Sequence, residues 1–346
     1  MTTGINDELL QYAESLGYGD VHMKIDAATG LRAIIAIHST KRGPALGGCR
    51  FIEYPTTRDA LRDALRLGWG MSYKAAMANL PLGGGKAVLL KTPQITDREA
   101  HFGAFGRFVN EMSGRYITAM DSGTEVSDMD VIARYTPYVA STSRNSGDPG
   151  PSTALGVLRG IFATVKFKMQ RDNLEGLHVA IQGVGHVGYS LAQRLHNLGV
   201  RLSICDRNTE AAKICEKEFG AKIVSLDEIF KLDCDIFAPC AYGGIINDET
   251  IPTIKAKIIA GSANNQLAEL RHGEALRKRD ILYAPDYVIN AGGLIEAYAL
   301  YQGLSMAEAE LQISHIYDTL LLIFDRAARE GKPTSQVADT IASERL

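Results

Sequence analysis

Short apolar runs alternate with amphipathic stretches along the second half of the chain. The runs are rich in β-branched residues and lie at 177–181, 200–205, 221–224, 234–238 and 256–260. The stretches between them have the length and apolar spacing of helices or connecting loops. This alternation predicts a doubly wound α/β domain, in which helices cover both faces of a parallel sheet.

The first half of the chain mixes strand-like and helix-like segments in a less regular order. Its strand candidates are four apolar runs, at 31–38, 86–90, 116–120 and 137–140. A stretch with helical spacing begins at Thr56, and Asp59 three residues later completes an N-terminal capping pattern. The predicted helices of this half and of the C-terminus cover 56–78, 97–112, 306–329 and 335–346. We therefore expect a separate N-terminal α/β domain.

The composition of the chain changes at 143–152, where SRNSGDPGPS is the most loop-like segment. Clusters of Ser, Asn, Asp, Gly and Pro between periodic segments indicate a loop. A chain of 346 residues is also long enough for two domains. We therefore predict a domain boundary and a hinge in this segment.

Acidic and basic residues are nearly balanced, with 37 Lys and Arg against 40 Asp and Glu and a net charge of −3. Because there is no basic block, nucleic acid and an anionic membrane surface are not expected as partners. No apolar run approaches the roughly 18 residues of a membrane-spanning helix, and the N-terminus has no signal-peptide core. The five cysteines form no Cys-x-x-Cys pair, so Cys205 and Cys234 are interpreted as reduced packing thiols. We expect a cytoplasmic protein.

A glycine motif follows the first strand of the predicted parallel sheet. Gly183 permits a tight turn, Gly185 allows the backbone to approach a pyrophosphate, and Gly188 allows close helix–strand packing. Asp206, eighteen residues after Gly188, ends the next strand and is placed to accept hydrogen bonds from ribose hydroxyls. A carboxylate there repels a 2′-phosphate, so NAD is favoured over NADP, although the adjacent Arg207 weakens that preference. A flavin, S-adenosylmethionine or an empty dinucleotide-type domain stays open as an alternative.

Two lysines, Lys74 and Lys86, lie in surroundings that are unusual for a surface lysine. Lys74 lies among small and apolar residues in GMSYKAAMA, and Lys86 follows three glycines and precedes an apolar run. Loss of hydration in such surroundings disfavours the charged ammonium and lowers the pKa of a lysine. A lysine that transfers protons near neutral pH requires such a lowered pKa. A lysine extending from a helix and a lysine closing a glycine turn are the structural alternatives.

Eight segments of the chain, in order from about residue 43 onwards, resemble those of amino-acid dehydrogenases. They read GPALGGCRF, MSYKAAMANLPLGGGKAVL, AMDSGTEVSDMD, GPSTALGVLRG, IQGVGHVGYSLAQRL, APCAYGGIIND, GSANNQL and YAPDYVINAGGLIEA. The chain is similar to the Glu/Leu/Phe/Val dehydrogenase family, and most similar to the leucine dehydrogenase branch with its valine, phenylalanine and tryptophan dehydrogenases. The resemblance implies the reversible, NAD(P)-linked oxidative deamination of an L-amino acid to a 2-oxo acid and ammonia.

The same resemblance implies roles for three charged residues. Lys74 matches the lysine that binds the substrate α-carboxylate, and Lys86 matches the catalytic lysine that exchanges protons with the attacking water. Asp121 matches the acid that moves a proton at the amino group. Asp121 also belongs to an acidic cluster, but the spacing is not that of a calcium-binding loop, so no metal site is predicted. Asp128 and Asp130 in that cluster are interpreted as a helix start.

Further positions match substrate-binding and cofactor-binding residues of the family. The substrate α-amino and carboxylate groups are expected to contact Gly47, Gly48 and Asn290. The cofactor is expected to contact Gly183, Gly185, Val187, Gly188, Asp206, Thr153, Ala238, Cys240 and Asn264. Each of these positions also has a structural interpretation, such as helix capping for Thr153 and a turn for Asn290.

The residues that match the side-chain pocket are apolar. They are Leu46, Met71, Ala119, Leu294 and Ala297. Glutamate dehydrogenases carry a lysine at the position of Leu46, where it pairs with the substrate side-chain carboxylate. Without that cation a second buried anion is unfavourable, so we expect apolar L-amino acids as substrates and poor activity on glutamate. Glu296 is the acidic exception among these apolar residues. If its carboxylate faces the pocket, it can accept a hydrogen bond from the indole N–H of a tryptophan substrate. If it faces away, it has no bearing on the substrate.

The family resemblance also implies an architecture. We expect a substrate, catalytic and oligomerisation domain formed by 1–144 and 325–346, and an NAD-binding Rossmann domain formed by 145–324. The active site is expected in the cleft between them. Family members are homo-oligomers, and because leucine dehydrogenases continue beyond the last residues seen here, a dimer is expected rather than an octamer.

Two other functions stay open at the level of the sequence. A non-catalytic NAD-sensing protein accounts for the dinucleotide motif but leaves Lys74, Lys86 and Asp121 without a role. An alcohol oxidoreductase similar to shikimate dehydrogenase also places a Lys–Asp pair beside such a domain, but its reaction needs no ammonia.

Overall fold

The computed structural model describes residues 8–93, 95–144 and 148–346. The chain groups into two compact units: unit 1 comprises Met1–Gly147, Ala297–Leu304 and Arg345–Leu346, and unit 2 comprises Asp148–Glu296 and Ser305–Glu344. Residues 145–147, where the predicted boundary and hinge fall, lie outside the described residues. Contacts place 325–344 in unit 2, whereas our functional division, which stays a prediction, assigned 325–346 to the N-terminal domain.

Unit 1 is built on a mixed five-stranded sheet. Its strands are β1 (Asp20–Asp26), β2 (Leu31–Ser39), β3 (Ala45–Ile52), β4 (Gly83–Leu90) and β5 (Tyr116–Met120), in the order β1-β2-β4-β3-β5. β2 is antiparallel to β1 and β4, and β3 is parallel to β4 and β5. The helices before the unit boundary are α1 (Glu8–Ser15), α2 (Thr57–Met77), α3 (Arg98–Glu111) and α4 (Val126–Ala133).

The two faces of this sheet are covered by different helices. On one face, α2 packs over β2 and β4 around a core that contains Ile34, Leu65 and Val88. On the other face, α3 and α4 pack around a larger core. This core contains Phe102 and Phe105 of α3 together with the buried sheet residues of that face. Because α2 and the sheet enclose one apolar layer, a polar side chain between them needs a partner.

Unit 2 is built on a six-stranded parallel sheet. Its strands are β6 (His178–Gln182), β7 (Arg201–Cys205), β8 (Lys222–Ile223), β9 (Ile236–Pro239), β10 (Ile258–Ile259) and β11 (Leu282–Tyr283), in the order β11-β10-β9-β6-β7-β8. The helices from Gly150 onwards are α5 (Gly150–Met169), α6 (His186–His196), α7 (Thr209–Phe219), α8 (Arg271–Lys278), α9 (Asp286–Ile289), α10 (Gly292–Tyr301), α11 (Met306–Ser314), α12 (Ile316–Glu330) and α13 (Thr334–Arg345). The strand order reverses direction between β6 and β9, and such a switch point is where open α/β sheets bind ligands.

The fold confirms the predicted α/β class, the parallel sheet and the long helix capped by Thr56, whose hydroxyl accepts a hydrogen bond from the N–H of Asp59. It also confirms the helix start at Asp128, which is part of a capping box with Glu125. The prediction of a strand at 137–140 was wrong, because only Val139 forms an isolated bridge with Thr118. The predicted single helix over 306–329 was also wrong, since it is divided at His315 into α11 and α12.

No helix in the described ranges is both long and apolar enough to span a bilayer. The five cysteines are free thiols, and Cys205 and Cys234 are buried, as predicted for packing residues. Burial raises the pKa of the Cys205 thiol to about 11, which keeps it neutral near pH 7.

Candidate active site

Several of the predicted site residues of unit 1 share one face of its sheet, the face covered by α2. In β3, Leu46 pairs with Gly84 of β4 and Gly48 pairs with Ala119 of β5. Residues paired across neighbouring strands, and residues two apart along a strand, point to the same face. Lys86, two residues after Gly84, therefore lies on this face together with Leu46, Gly48 and Ala119.

Lys86 and Asp121 form an ion pair across β3, the strand that lies between β4 and β5. The ammonium of Lys86 on β4 contacts Oδ2 of Asp121, which follows β5, and the two side chains are 8% and 19% exposed. Burial alone would raise the pKa of Asp121, but the charge of Lys86, followed by that of Arg50, outweighs it and holds the pKa below its usual value. The pair is therefore a charged acid–base unit held in a mainly apolar layer.

Gly48 makes this ion pair possible, because it lies on the strand between the two partners. A Cβ at Gly48 would lie 2.7 Å from Cβ of Asp121 and 2.9 Å from the carbonyl oxygen of Met120. Any larger residue would push the Asp121 carboxylate away from Lys86. Sequence reasoning selected Gly48 for backbone approach to a carboxylate, and it did not find this requirement.

Helix α2 lies directly on β4, and glycines permit the close approach. A Cβ at Gly84 would lie 2.0 Å from the backbone nitrogen of Ser72, and a Cβ at Gly68 would lie 3.3 Å from the backbone nitrogen of Lys86. Lys74 and Met71 are half-buried in the last two turns of α2, the helix that makes this close approach to β4. The structure thus pairs Lys86 with Asp121 directly and places Lys74 on the helix that covers their face of the sheet.

Arg50 is a charged residue of this region that sequence reasoning missed. It lies on β3, two residues after Gly48, with its Nε 3.5 Å from Oδ2 of Asp121. Its position inside the segment GGCRF was visible in the sequence, but its neighbours depend on the strand order.

The glycine motif of unit 2 forms a turn from β6 into α6. Gly183 has φ +92°, which favours glycine, and a Cβ at Gly188 would lie 2.0 Å from the carbonyl oxygen of Gly183. Gly185 is the N-cap of α6, is exposed, and has no atom within 4 Å of where a Cβ would lie. A helix N-terminus with free N–H groups and open space beside it fits a pyrophosphate. Val187 lies in the first turn of α6 and is half-buried.

Asp206 lies at the end of β7, next to the glycine turn. Its Oδ2 accepts a hydrogen bond from the N–H of Val184 (2.7 Å) and its Oδ1 accepts one from the N–H of Asn208 (2.7 Å). These bonds fix the carboxylate and leave lone pairs on both oxygens for hydroxyl donors. The neighbouring guanidinium of Arg207 stacks on the ring of Tyr242, 4.9 Å from its centroid.

Asn290 and Asn264, predicted to contact the substrate and the cofactor, contact each other. Nδ2 of Asn290 donates to Oδ1 of Asn264 (2.8 Å) and to the carbonyl oxygen of Ser262 (3.0 Å). Asn290 is 5% exposed, and its buried Oδ1 meets no hydrogen-bond partner among the residues that the structure describes. Buried polar atoms are normally paired, so this acceptor is available to a donor on a bound molecule.

The other predicted cofactor residues lie around the glycine turn or at the start of α5. Cys240, which follows β9, would be 3.5 Å from a Cβ at Gly188, and Ala238 is fully buried within β9. Thr153 lies in the first turn of α5, and its hydroxyl donates to the carbonyl oxygen of Pro149 (2.8 Å).

Glu296 faces helix α5. It is 4% exposed and interacts with Ser152; burial raises its pKa, the Ser152 hydroxyl lowers it in part, and the charge of Asp148 raises it. Leu294 and Ala297 are three residues apart on α10 and share a different side of that helix. Glu296 therefore does not interrupt the apolar face formed by Leu294 and Ala297.

Asp248, Glu269 and His272 bring three possible metal ligands together. Arg271 already pairs with both carboxylates, at 2.5 Å from Asp248 and 2.9 Å from Glu269. Nδ1 of His272 accepts a hydrogen bond from the N–H of Glu269 (2.9 Å), so Nε2 carries the proton in the neutral ring. A protonated nitrogen is not a metal ligand, and the cluster is an ion-pair network instead.

A glycine turn at the switch point of a parallel sheet is typical of dinucleotide-binding domains. Two family models match the chain: "Glu/Leu/Phe/Val dehydrogenase, dimerisation domain" over residues 19–138 and "Glutamate/Leucine/Phenylalanine/Valine dehydrogenase" over residues 203–312. The chain belongs to the Glu/Leu/Phe/Val dehydrogenase family, as the sequence resemblance indicated.

Individual relatives are similar along almost the entire chain. The leucine dehydrogenase of Geobacillus stearothermophilus is 50% identical over 342 residues, which is 98% of this chain and 93% of the relative. An L-tryptophan dehydrogenase of Nostoc punctiforme is 47% identical over 317 residues, covering 91% of this chain and 90% of the relative. The crystal structure of the Nostoc punctiforme L-tryptophan dehydrogenase matches 97% of this chain and 98% of its own, with 43% identity and a TM-score of 0.87.

Proposed function

We propose that this protein catalyses the NAD-dependent, reversible oxidative deamination of an apolar L-amino acid to its 2-oxo acid and ammonia. The observation that carries the proposal is the Lys86–Asp121 ion pair, on the sheet face covered by the helix of Lys74, in a member of an amino-acid dehydrogenase family. The relatives with 42% to 50% identity include leucine, L-tryptophan and phenylalanine dehydrogenases, whose substrates have apolar or aromatic side chains.

Three charged residues of unit 1, Lys74, Lys86 and Asp121, have tasks that their chemistry supports. The ammonium of Lys74 binds the substrate α-carboxylate by a charge-assisted hydrogen bond. Asp121 accepts a proton from the substrate amino group, for which its ionised state is suited. Lys86 transfers protons to and from the water that attacks the iminium carbon formed when hydride leaves the α-carbon. In unit 2, Oδ1 of Asn290, which has no hydrogen-bond partner among the described residues, can accept a hydrogen bond from a bound molecule.

The residues around the glycine turn fit a dinucleotide. Gly185 and the N-terminus of α6 bind the pyrophosphate, and Asp206 accepts hydrogen bonds from the adenosine ribose hydroxyls. Thr153, Ala238, Cys240 and Asn264 contact the nicotinamide half. When bound, NAD supplies the hydride acceptor. The carboxylate of Asp206 supports NAD over NADP because it would repel a 2′-phosphate.

The preference for an apolar side chain rests on Leu46. Leu46 is 2% exposed, and Ala119 on the neighbouring strand is 7% exposed, so a substrate carboxylate here would lose its hydration without meeting a cation. Met71 on α2 and, on α10, Leu294 and Ala297 are also apolar, and the contact of Glu296 with Ser152 supports leaving that glutamate out of the pocket.

Activity on a panel of L-amino acids tests this proposal. With NAD, we expect NADH formation with at least one of leucine, valine, phenylalanine and tryptophan, and little with glutamate. Replacing the buried leucine by a cation, Leu46→Lys, is expected to lower kcat/KM for the best apolar substrate by about 100-fold or more. The variant loses an apolar contact with the substrate side chain and buries a charge without a partner, and both effects weaken binding of an apolar substrate. Its ratio of glutamate to apolar activity should rise.

The same panel separates the alternatives. NAD binding without any amino-acid activity would contradict the proposed function and favour an NAD-sensing protein. Oxidation of a hydroxy acid with no need for ammonia in the reverse direction would favour an alcohol oxidoreductase. Leu46→Met serves as the matched control, because it keeps an apolar side chain of similar volume at this position.

We further propose that the chain forms a homo-oligomer, with a dimer favoured over an octamer. The edge strand β1 supports an interface between copies of the chain, because Val21, Met23 and Ile25 on one of its faces are 37%, 57% and 74% exposed. Apolar side chains exposed along an unpaired strand edge are typical of protein interfaces. The mass of the purified protein by light scattering tests it, and a monomer or an octamer would contradict it.

A further inference from the structure

Arg50 contacts the Lys86–Asp121 ion pair, but the roles above do not use it. Its Nε lies 3.5 Å from Oδ2 of Asp121, the same oxygen that the ammonium of Lys86 contacts. The Arg50 side chain is 22% exposed, so solvent screens this interaction only in part. The Asp121 carboxylate therefore lies between two cations that approach it from neighbouring strands.

The guanidinium of Arg50 is itself held in place from its other side. Its NH1 donates to Oδ2 of Asp63 on α2 (2.8 Å), and the hydroxyl of Tyr54 donates to the same oxygen (2.7 Å). Arg66 donates to the other oxygen of Asp63 (3.1 Å). Burial would raise the pKa of Asp63, but the Tyr54 hydroxyl, Arg50 and Arg66 together lower it. Asp63 is thus an ionised anchor that fixes the orientation of Arg50.

The two cations beside Asp121 differ in one chemical property. A lysine can release its proton, and the proposed reaction requires Lys86 to do so. An arginine stays protonated at any pH at which the protein is folded. When Lys86 is neutral, Asp121 would be a largely buried carboxylate without a cationic partner unless Arg50 remained beside it, and such a carboxylate takes up a proton more readily.

Other titratable groups near Asp121 do not replace Arg50 in this respect. The Cys49 thiol on β3 and the Tyr116 hydroxyl on β5 are both completely buried, and burial raises the pKa of each well above neutral pH. They are neutral and supply no positive charge. Lys86 on β4 and Arg50 on β3 are the cations that face the carboxylate.

We infer that Arg50 is a positioning residue of the deamination reaction: it keeps the Asp121 carboxylate ionised and in place while Lys86 exchanges its proton. The inference rests on the proposed function, because it assigns Arg50 to that reaction. It predicts that removing Arg50 changes the pH at which Asp121 takes up a proton. Removing a residue that is needed only for folding does not change that pH.

Two variants at this position test the inference. Arg50→Gln removes the charge at similar size, and kcat is expected to fall about 100-fold, as for a misplaced catalytic group. The acid side of the pH profile of kcat/KM should move to higher pH, because Asp121 loses a cation that lowers its pKa. Arg50→Lys restores the charge, so the profile should return toward that of the wild type and kcat should recover in part.

Arg98→Gln is the matched control. Arg98 forms two hydrogen bonds with the buried carboxylate of Asp128, at 2.8 and 2.7 Å, and belongs to the same unit as Arg50. This variant also removes a guanidinium from a buried aspartate, so it measures the effect of lost stability alone. If Arg50→Gln and Arg98→Gln lose activity equally, with an unchanged pH profile, Arg50 is structural and the inference is overturned.

A measurement without activity separates this inference from the proposed function. Urea unfolding of the wild type, Arg50→Gln, Asp121→Asn and the double variant gives the coupling free energy between the two side chains. We expect the coupling to be favourable at pH 7 and to decline below the pH at which Asp121 is protonated. No coupling would overturn the inference even in an active enzyme, whereas an inactive wild type with intact coupling would refute the proposed function.

Discussion

Lys86→Ala is expected to lower kcat for the best amino-acid substrate by about 10²- to 10⁴-fold, the usual contribution of a general acid or base. Lys86 is 7% exposed, and its ammonium contacts Asp121 across β3. Alanine cannot exchange protons with the attacking water, so the reaction should stop after hydride transfer or before it. The affinity for NAD should not change, because the dinucleotide motif lies in unit 2. Initial rates and NAD titration of the same preparation measure both quantities.

Lys91→Ala is the control for this variant. Lys91 follows the last residue of β4 and is exposed, so the same change there removes a lysine without touching Asp121. We expect its kcat to stay within about twofold of the wild type, as surface substitutions away from a site usually have small effects. A Lys86→Ala enzyme that kept a comparable rate would show that this lysine is a structural residue.

Asp121→Asn is expected to lower both kcat and the stability of the fold. Asparagine is nearly the same size as aspartate but cannot accept a proton from the amino group, so kcat should fall by about 10²- to 10⁴-fold. The change also leaves the buried ammonium of Lys86 without a carboxylate, with Arg50 close by. Removing one partner of a buried ion pair destabilises a protein by about 3 kcal/mol. Urea unfolding at a fixed protein concentration measures this loss.

The pH dependence of that loss provides a sharper test. Because the pKa of Asp121 is lowered in the folded state, its ionised form contributes stability above the unfolded value of about 3.9, and this contribution disappears as the pH falls through the folded value. The stability difference between wild type and Asp121→Asn should therefore shrink below about pH 4. Asp130→Asn is the control, since Asp130 accepts a backbone hydrogen bond from Ser143 and, within the described part of the chain, forms no ion pair with a lysine. A difference independent of pH would mean that Asp121 is not ionised in the fold.

Local features of the fold could be predicted from the sequence, because local rules determine them. The helix that begins after Thr56 has a cap and apolar periodicity, and both signals lie within a few residues of each other. The turn at Gly183 needs a positive φ, which a glycine motif reveals directly. Strand β3 was not predicted, because the residues ALGGCRFI show neither alternation nor a β-branched run.

The parts of the candidate site that could not be predicted depend on strand order. Gly48 and Arg50 act at Asp121 only because β3 lies between β4 and β5, which is a pairing of distant segments. No spacing in the sequence places residue 50 beside residue 121. The side of α10 that carries Glu296 was equally undetermined, since the direction of one helix face depends on the packing of α5 against it.

The most direct test of the proposed function measures ammonia and NADH together, with the best apolar L-amino acid of the panel and NAD. Oxidative deamination predicts that one ammonia is released for each NADH formed. In steady state, Lys86→Ala should form both products only at its low residual rate. NADH formed without ammonia would contradict the proposal, because it would show that the protein oxidises its substrate at a carbon that does not carry the amino group.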